Sequence, residues 1–484
     1  MGRSALSQSR QGPQCAQGLQ IARSSPGNDK LLCQTPACRG YKTPRLSHIR
    51  IIMHRRNFFG LALATALTLP WRRALAGAPD QTEPPSGFQW PAPSVNPAFD
   101  AWLSGFMARA VAAGWPQDLL TRELGGLTPD PKVVSLDGRQ PELSRPVGDY
   151  LRKTVSQDKI FAGQARMYSL TYWPAIETRF GVPREILIGI WGMETAFGAV
   201  MGNYDVVRSM ASLAAEGRRQ AWAEAQLFSA LRIIASGQIS RDQLKGSWAG
   251  AMGQTQFLPE TYLTTAIDFD GDGRKDVWGS EADALASAAN LLVKGGWRRG
   301  EPWAREVILA PGFDYGLSEG PMQLPAAWSR AGASPAAALD WSAQEARTPA
   351  SLILPSGWTG PAFLVFANHM AIRTYNNSTA YALGVGLLAD AVAGRPGLVT
   401  PWPMELALSL SDRQKAQSLL GRLGFYAGDL DGVIGTRTRK ALRQWQVSMG
   451  RPADGYLTPD LIFALEAAAW GMPSQPSPTL QAWP

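Results

Sequence analysis

The sequence predicts a mainly α-helical protein with a large helical domain, a small irregular subdomain inserted in it, and a short C-terminal helical domain. Three observations predict this. Apolar residues recur at helical spacing around Tyr150 to Tyr172, Glu185 to Phe197, Gln220 to Ala235 and Asp283 to Lys294. Between about Pro302 and Gly360 the pattern breaks into short β-like runs such as REVILA. A Pro-rich break, RPGLVTPWP at Arg395 to Pro403, precedes two further helical runs joined by the Gly-rich turn DLDGVIG.

At 484 residues and 45% apolar content the chain can bury more than one core. Its formal charge of +8 would suit a polyanion partner, but residues 1–76 carry 12 Lys or Arg and one acid, which leaves 35 basic and 38 acidic residues beyond them. The remainder is slightly acidic, so nucleic acid is excluded as a partner on electrostatic grounds. Residues 1–52 lack periodicity and read as disordered, or as an extension upstream of a start at Met53; they hold all three cysteines, Cys15, Cys33 and Cys38. From Met53, His54-Arg55-Arg56-Asn57-Phe58-Phe59 leads into GLALATALTLP, a second Arg72-Arg73 pair and the small-residue cleavage pattern Ala74-Leu75-Ala76. We read residues 53–76 as a signal peptide whose Arg-Arg-x-Phe-Phe order is similar to a twin-arginine signal. The apolar run is shorter than the ~20 residues of a spanning helix, so no permanent membrane anchor is expected. An exported chain cut there has no cysteine for a disulfide or a lipid. The expected product is a soluble periplasmic monomer with a Pro-rich lead-in at 77–96, an ordered domain at 97–395, a linker at 396–403, a second domain at 404–470 and a flexible tail at 471–484.

Within the first domain, GVPREIL places Pro183 in a first helical turn, and Leu187, Ile190, Trp191 and Glu194 then share one face of the helix. That face is apolar, so Glu194 occupies a position where charge is disfavoured and its pKa is expected to rise, as a general acid requires. A buried ion pair with an arginine is the alternative for the motif taken alone. A second dense stretch, SWAGAMGQTQFLPETYL at Ser247 to Leu263, mixes small and polar residues. Gly250 and Gly253 allow close backbone approach, while Ser247, Gln254 and Gln256 offer hydrogen bonds and Phe257 an apolar wall, as a sugar-binding cleft needs. A structural loop capping a helix fits these residues equally well. In the third stretch Asp268, Asp270 and Asp272, followed by Gly273, give the front half of an EF-hand calcium loop, with Arg274 placed to offer its carbonyl. Gly279 stands at the twelfth position, where that loop expects a glutamate.

With WGMETAFG at 191–198, SWAGAMGQTQFLP at 247–259, the aspartate loop, IRTYNNSTAYAL at 372–383 and LDGRQPELSRPVGDYL at 136–151, the chain resembles the membrane-bound lytic murein transglycosylase B family. The resemblance implies a lysozyme-like helical catalytic domain. It also implies non-hydrolytic cleavage of the β-1,4 bond between N-acetylmuramic acid and N-acetylglucosamine in peptidoglycan, leaving 1,6-anhydro ends. By the same resemblance Glu194 acts as acid and then base, and Ser247 and Gln256 match polar cleft positions. Tyr375, Asn376 and Tyr381 match the family's YN-containing segment, and Tyr150 lines the cleft wall. The family's metal loop closes on a later acid, here Asp283 with Glu281 as the fallback, which implies a structural Ca2+; no organic cofactor is expected. Asp431-Gly432-Val-Ile-Gly435 through Thr438, Ala441, Trp445 and Gln446 resembles the peptidoglycan-binding domain type 1, a three-helix module that holds catalytic domains on glycan strands. A hydrolytic muramidase, with Asp205 as second carboxylate, and a catalytically inactive wall-binding scaffold are the alternatives. His369 is expected to be packing.

Overall fold

A computed structural model describes residues 96–137, 145–338 and 340–471. The leader, its cysteines, the signal peptide and the Pro-rich lead-in therefore lie outside the described residues, apart from Asn96, as does the tail beyond Gly471.

The described residues begin with α1 (Pro97–Ala112), α2 (Gln117–Leu124), α3 (Pro131–Asp137), α4 (Val147–Thr154), α5 (Gln157–Ser169), α6 (Trp173–Phe180) and α7 (Arg184–Thr195). A small ladder of β1 (Tyr204–Asp205) and β2 (Lys245–Gly246) brackets α8 (Val206–Glu216) and α9 (Gln220–Ala235), followed by α10 (Pro259–Thr265) and α11 (Glu281–Lys294). The expected subdomain then appears as β3 (Ala304–Leu309), α12 (Pro325–Arg330), β4 (Ala333–Pro335), β5 (Ser351–Ile353), β6 (Pro355–Trp358) and β7 (Ala362–Val365). Four of these strands form an antiparallel sheet in the order β4-β3-β7-β5, with Glu306 opposite Phe363. Helices α13 (Ala367–Ile372) and α14 (Thr379–Val392) return to the first domain, and α15 (Leu410–Arg422), α16 (Thr436–Ser448) and α17 (Pro459–Trp470) form the C-terminal one.

Two cores meet in the large domain. One packs Leu103, Phe106 and Met107 of α1 with Met210, Leu227 and Leu231 of α8 and α9 and with Phe257. The other packs Leu187, Ile190 and Trp191 of α7 with Leu285 and Leu292 of α11 and Tyr381, Val385 and Leu388 of α14. Tyr375 touches both. The C-terminal domain has its own core around Leu420, Leu442, Trp445 and Leu465, so Trp445 fills space as expected rather than facing outward.

The break at Arg395 to Pro403 is a strap. Glu306 accepts hydrogen bonds from the amides of Val399 and Thr400, both at 2.8 Å, and Trp402 stacks on Phe363. Beyond it, Asp454 accepts from the Trp358 amide at 3.0 Å. Glu319 pairs with Arg439 and Arg443, each at 2.8 Å, so the C-terminal domain docks on the inserted subdomain.

Helices α7 and α14 approach closely because glycine lines the contact. A Cβ on Gly189 would stand 2.5 Å from the Val385 carbonyl oxygen, and one on Gly192 would meet Phe197 and Leu388. Gly189→Ala is expected to push the two helices apart and to cost about 1–3 kcal/mol of stability, read as a lowered melting temperature; an unchanged melting curve would show that the approach is slack.

Candidate active site

Helix α7 is capped from outside its own start: Pro183 is the N-cap, not a residue of the first turn, and the Glu177 carboxylate accepts from the Arg184 amide at 2.9 Å. At the other end Ala196 and Phe197 both adopt left-handed backbone, φ 49° and 63°, before Gly198 at 82°. Two consecutive non-glycine residues in this region are strained, and such strain persists only where the surroundings enforce it. Here Thr195 supplies the enforcement. Its hydroxyl donates to the Gln254 carbonyl at 2.6 Å and accepts from the Gly198 amide at 2.9 Å. The helix is thus stopped one residue after Glu194 and pinned to the Gly-rich stretch.

Glu194 meets the Tyr381 hydroxyl, which donates to its Oε1 at 2.5 Å. Burial pushes the carboxyl up to about 7 against the pull of that hydrogen bond, because loss of water disfavours the charged form more than one phenol stabilises it. Among the described residues Glu194 takes part in no ion pair, so the ion-pair alternative for the motif finds no partner, and the carboxyl is set by burial and Tyr381. Tyr375 lies beside Glu194 and the Thr255 hydroxyl, and both phenols are raised by burial and by the nearby glutamate. Tyr150 adds to the field on Tyr381. Trp191 Nε1 is buried without a hydrogen-bond partner, while the Tyr375 and Thr255 hydroxyls face each other beside Glu194.

The residues of the Gly-rich stretch divide by role. Ser247 Oγ accepts from Ala251 N at 3.0 Å and shapes its own turn. Gln254 donates to the Trp278 carbonyl at 3.2 Å and Gln256 to those of Met201 and Gly253 at 3.1 and 2.9 Å. These side chains therefore build the loop next to Glu194, and the structural reading of the stretch holds beside the cleft reading. Phe257 is buried in the first core, its ring 6.0 Å from that of Tyr375, and is wall material from behind. Asn376 is exposed next to Tyr375. Thr195 and Thr255 join the site without being singled out by the sequence; both lie inside the quoted motifs, but a threonine there carries no signal of its own. Asp205, the second carboxylate of the muramidase alternative, caps α8 by accepting from Arg208 N and pairs with Arg241 at 2.7 Å, so it is committed elsewhere.

In the acidic loop, oxygens of Asp268, Asp270 and Asp283 lie within 4.8 Å of one another. Asp272 does not join them; it accepts from Arg274 N, and the Arg274 guanidinium donates to the Gln238 carbonyl. Buried Asp283 accepts from the amides of Phe269, Asp270 and Asp276, and burial still raises its pKa. Glu281, the fallback ligand, instead accepts from Tyr172 OH at 3.0 Å. His369 is buried and stacks on Trp303, and burial pushes its pKa down to about 3, as packing requires. A cavity of about 720 Å3 opens between α4, α7, β3 and the strap, lined by Trp303, Asp390 and Trp402 among others; Glu194 does not line it.

Residues 98–390 match the Transglycosylase SLT domain family and residues 409–465 a peptidoglycan binding domain family. Membrane-bound lytic murein transglycosylase B of Escherichia coli (strain K12) is 34% identical over 259 residues, which cover 50% of this chain and 66% of that protein. SltB3 from Pseudomonas aeruginosa, solved in complex with NAG-anhNAM-pentapeptide, is 44% identical with a TM-score of 0.74, covering 77% of this chain and 100% of that one. The Escherichia coli lytic transglycosylase SLT35, solved in complex with calcium, is 28% identical with a TM-score of 0.54, covering 65% of this chain and 98% of the other. With the family match spanning most of the chain and one part-buried carboxylate at its centre, the chain belongs to the B-type lytic transglycosylases of the SLT domain family and carries a C-terminal peptidoglycan-binding domain.

Proposed function

We propose that Glu194 alone performs both proton transfers of a lytic transglycosylase on peptidoglycan. In its protonated form it donates to the oxygen of the MurNAc-β-1,4-GlcNAc bond, and the C–O bond breaks with the electron pair leaving on the GlcNAc O4. The muramyl 6-hydroxyl then attacks the anomeric carbon, and the Glu194 carboxylate takes its proton, so a 1,6-anhydro end forms and no water is consumed. The observation that carries this reading is the setting of Glu194: burial favours its protonated state, the Tyr381 hydroxyl donates to its Oε1, and Asp205, the candidate second acid, is held by Arg241. A two-carboxylate hydrolase needs that second acid at a set separation. Tyr375 and Asn376 are assigned to the positively charged sugar-ring transition state or the N-acetyl group. Tyr150 and Phe257 form the cleft wall, with Ser247, Gln254 and Gln256 holding the loop that faces the substrate.

The acidic loop fits a structural Ca2+. Asp268, Asp270 and Asp283 bring three carboxylates together with no basic side chain among their hydrogen-bond partners, and hard oxygen donors are what this ion takes. Arg274 stays a candidate through its carbonyl, while Asp272 is the weakest of the set. The signal-like leader, the wall substrate and the described residues, among which no helix is long and apolar enough to cross a membrane, support action in the periplasm after twin-arginine export.

Wild-type protein incubated with purified sacculi is expected to release anhydro-muramyl ends, and Glu194→Gln none, by mass spectrometry of the muropeptides; reducing ends would establish hydrolysis instead. Cleavage by the wild type should fall as pH rises through about 7, where the acid form is lost. The same shift predicts a stability signature. Because the folded pKa lies above the ordinary 4.5, Glu194 contributes fully below pH 4.5 and that contribution is lost as pH rises through about 7. Glu194→Gln should therefore gain more in melting temperature over wild type at pH 8 than at pH 4, and an equal gain at both would place the group in water. Excess EDTA should lower the melting temperature and Ca2+ restore it, whereas superimposed curves would remove the ion from the loop.

A further inference from the structure

Two aromatic rings flank Glu194, three residues before it and three after, and one arginine lies over both. Trp191 and Phe197 meet edge to face, their centroids 5.7 Å apart and their planes at 85°. Arg166, in the last turn of α5, sets its guanidinium 5.3 Å from the Trp191 centroid and 4.9 Å from that of Phe197. Among the described residues this guanidinium makes no ion pair, and the hydrogen bond it donates runs back to the Ala162 carbonyl of its own helix at 3.4 Å. Trp191 Nε1 is buried without a partner, so the indole is oriented by its ring contacts and not by a hydrogen bond. The Phe197 ring enters a slot that two helices leave bare. A Cβ on Gly192 of α7 would stand 2.8 Å from Phe197 Cζ, and one on Gly163 of α5 would touch the same atom at 3.4 Å.

This ring is delivered from strained backbone, φ 63°, which a side chain keeps only if its surroundings hold it there. Thr195 closes the turn on the side of Gln254 by hydrogen bonds. On the side of α5 the closure is a phenyl ring in a glycine slot with a planar cation across it, and the faces of both rings attract that cation. We infer that Arg166 and Phe197 are positioning residues for the acid: the seated ring and the guanidinium over it hold α7 to its stop after Thr195, and so keep the Glu194 carboxyl where it meets Tyr381. They act through the turn at 195–198. The inference rests on the reading of Glu194 as the acid and deepens it. The other titratable groups around the carboxyl are Tyr381 of α14, Tyr375 of the loop before it, and Tyr150 of α4, which acts on Tyr381.

The test measures kcat and KM for release of anhydro ends from glycan strands as a function of pH, below the melting transition of each protein. Four full-length proteins are compared: wild type, Phe197→Leu, Arg166→Met and the double variant. Phe197→Leu leaves the slot part-empty and is expected to lower kcat about tenfold with KM little changed. Arg166→Met keeps the stem and removes the planar cation, for a loss of about threefold. In both, the alkaline limb, expected near pH 7 in wild type, should move to lower pH, because a loosened helix end admits water and favours the charged carboxylate. Removing the charge of Arg166 would by itself move that limb to higher pH, so the direction separates positioning from a field effect. Since both residues act on one turn, the double variant should fall close to Phe197→Leu and not to the product of about thirtyfold. The inference is overturned if Arg166→Met moves the limb upward or not at all, or if the two losses multiply. It is equally overturned if Phe197→Leu lowers kcat at an unmoved limb, as a smaller folded fraction would. Failure of the underlying reading would look different, since wild type would then yield no anhydro ends.

Discussion

The site depends on the burial of one carboxylate at the end of a helix that is stopped abruptly. Helix α7 brings Glu194 to the meeting of two apolar cores, where Tyr375 touches both, and a charge placed there, part-buried, loses much of its water. The helix can reach that point because Gly189 and Gly192 let α14 lie against it, and α14 carries Tyr381, the hydrogen-bond donor to Glu194. Acid and phenol are thus set by a single helix contact. Thr195, Ala196 and Phe197 end the helix at the residue after the acid by a left-handed turn whose strain is held by bonds to Gln254 and Gly198. Without that turn a further helical residue would displace the Gln254 loop pinned by Thr195.

Much of this is legible in the sequence. Leu187, Ile190 and Trp191 share a face with Glu194 at a spacing only a helix explains, and the apolar character of that face sets the direction of the pKa shift. REVILA, a short run read as β-like, supplies most of β3. The DG-x-x-G pattern predicts a turn between α15 and α16 and a buried Trp445. The illegible parts depend on partners distant in sequence. Gln254 and Gln256 read as free hydrogen-bonding groups, yet their side chains are used by carbonyls of Trp278 and Met201, contacts no local pattern encodes. Asp205 reads as an available second acid because nothing nearby reveals Arg241 as its partner. Asp272 fits the loop motif by position, but a carboxylate's direction is set by the turn, and it points toward the Arg274 amide.

The same distinction applies to the C-terminal domain. Composition alone makes Arg395 to Pro403 a linker, and a loose linker would make the binding domain a tether that raises local substrate concentration through its length. Glu306, Trp402, Asp454 and Glu319 turn that linker into a strap and the domain into a docked body.

The acidic loop belongs to the same framework and not to the chemistry. Its carboxylates bond backbone amides within the loop, and the segment that follows supplies the carbonyls that hold the cleft. The Val277 carbonyl accepts from Gln254 N at 2.9 Å, that of Trp278 from the Gln254 side chain, and that of Lys275 from the Tyr262 hydroxyl at 2.9 Å. Gln254 in turn receives the Thr195 hydroxyl on its carbonyl, which leads within one residue to Glu194. A cation among Asp268, Asp270 and Asp283 would relieve like-charge repulsion in the loop and so stiffen this chain of backbone contacts. Its influence on the acid is then positional, carried through Thr195, because these carboxylates are not among the groups that set the pKa of Glu194.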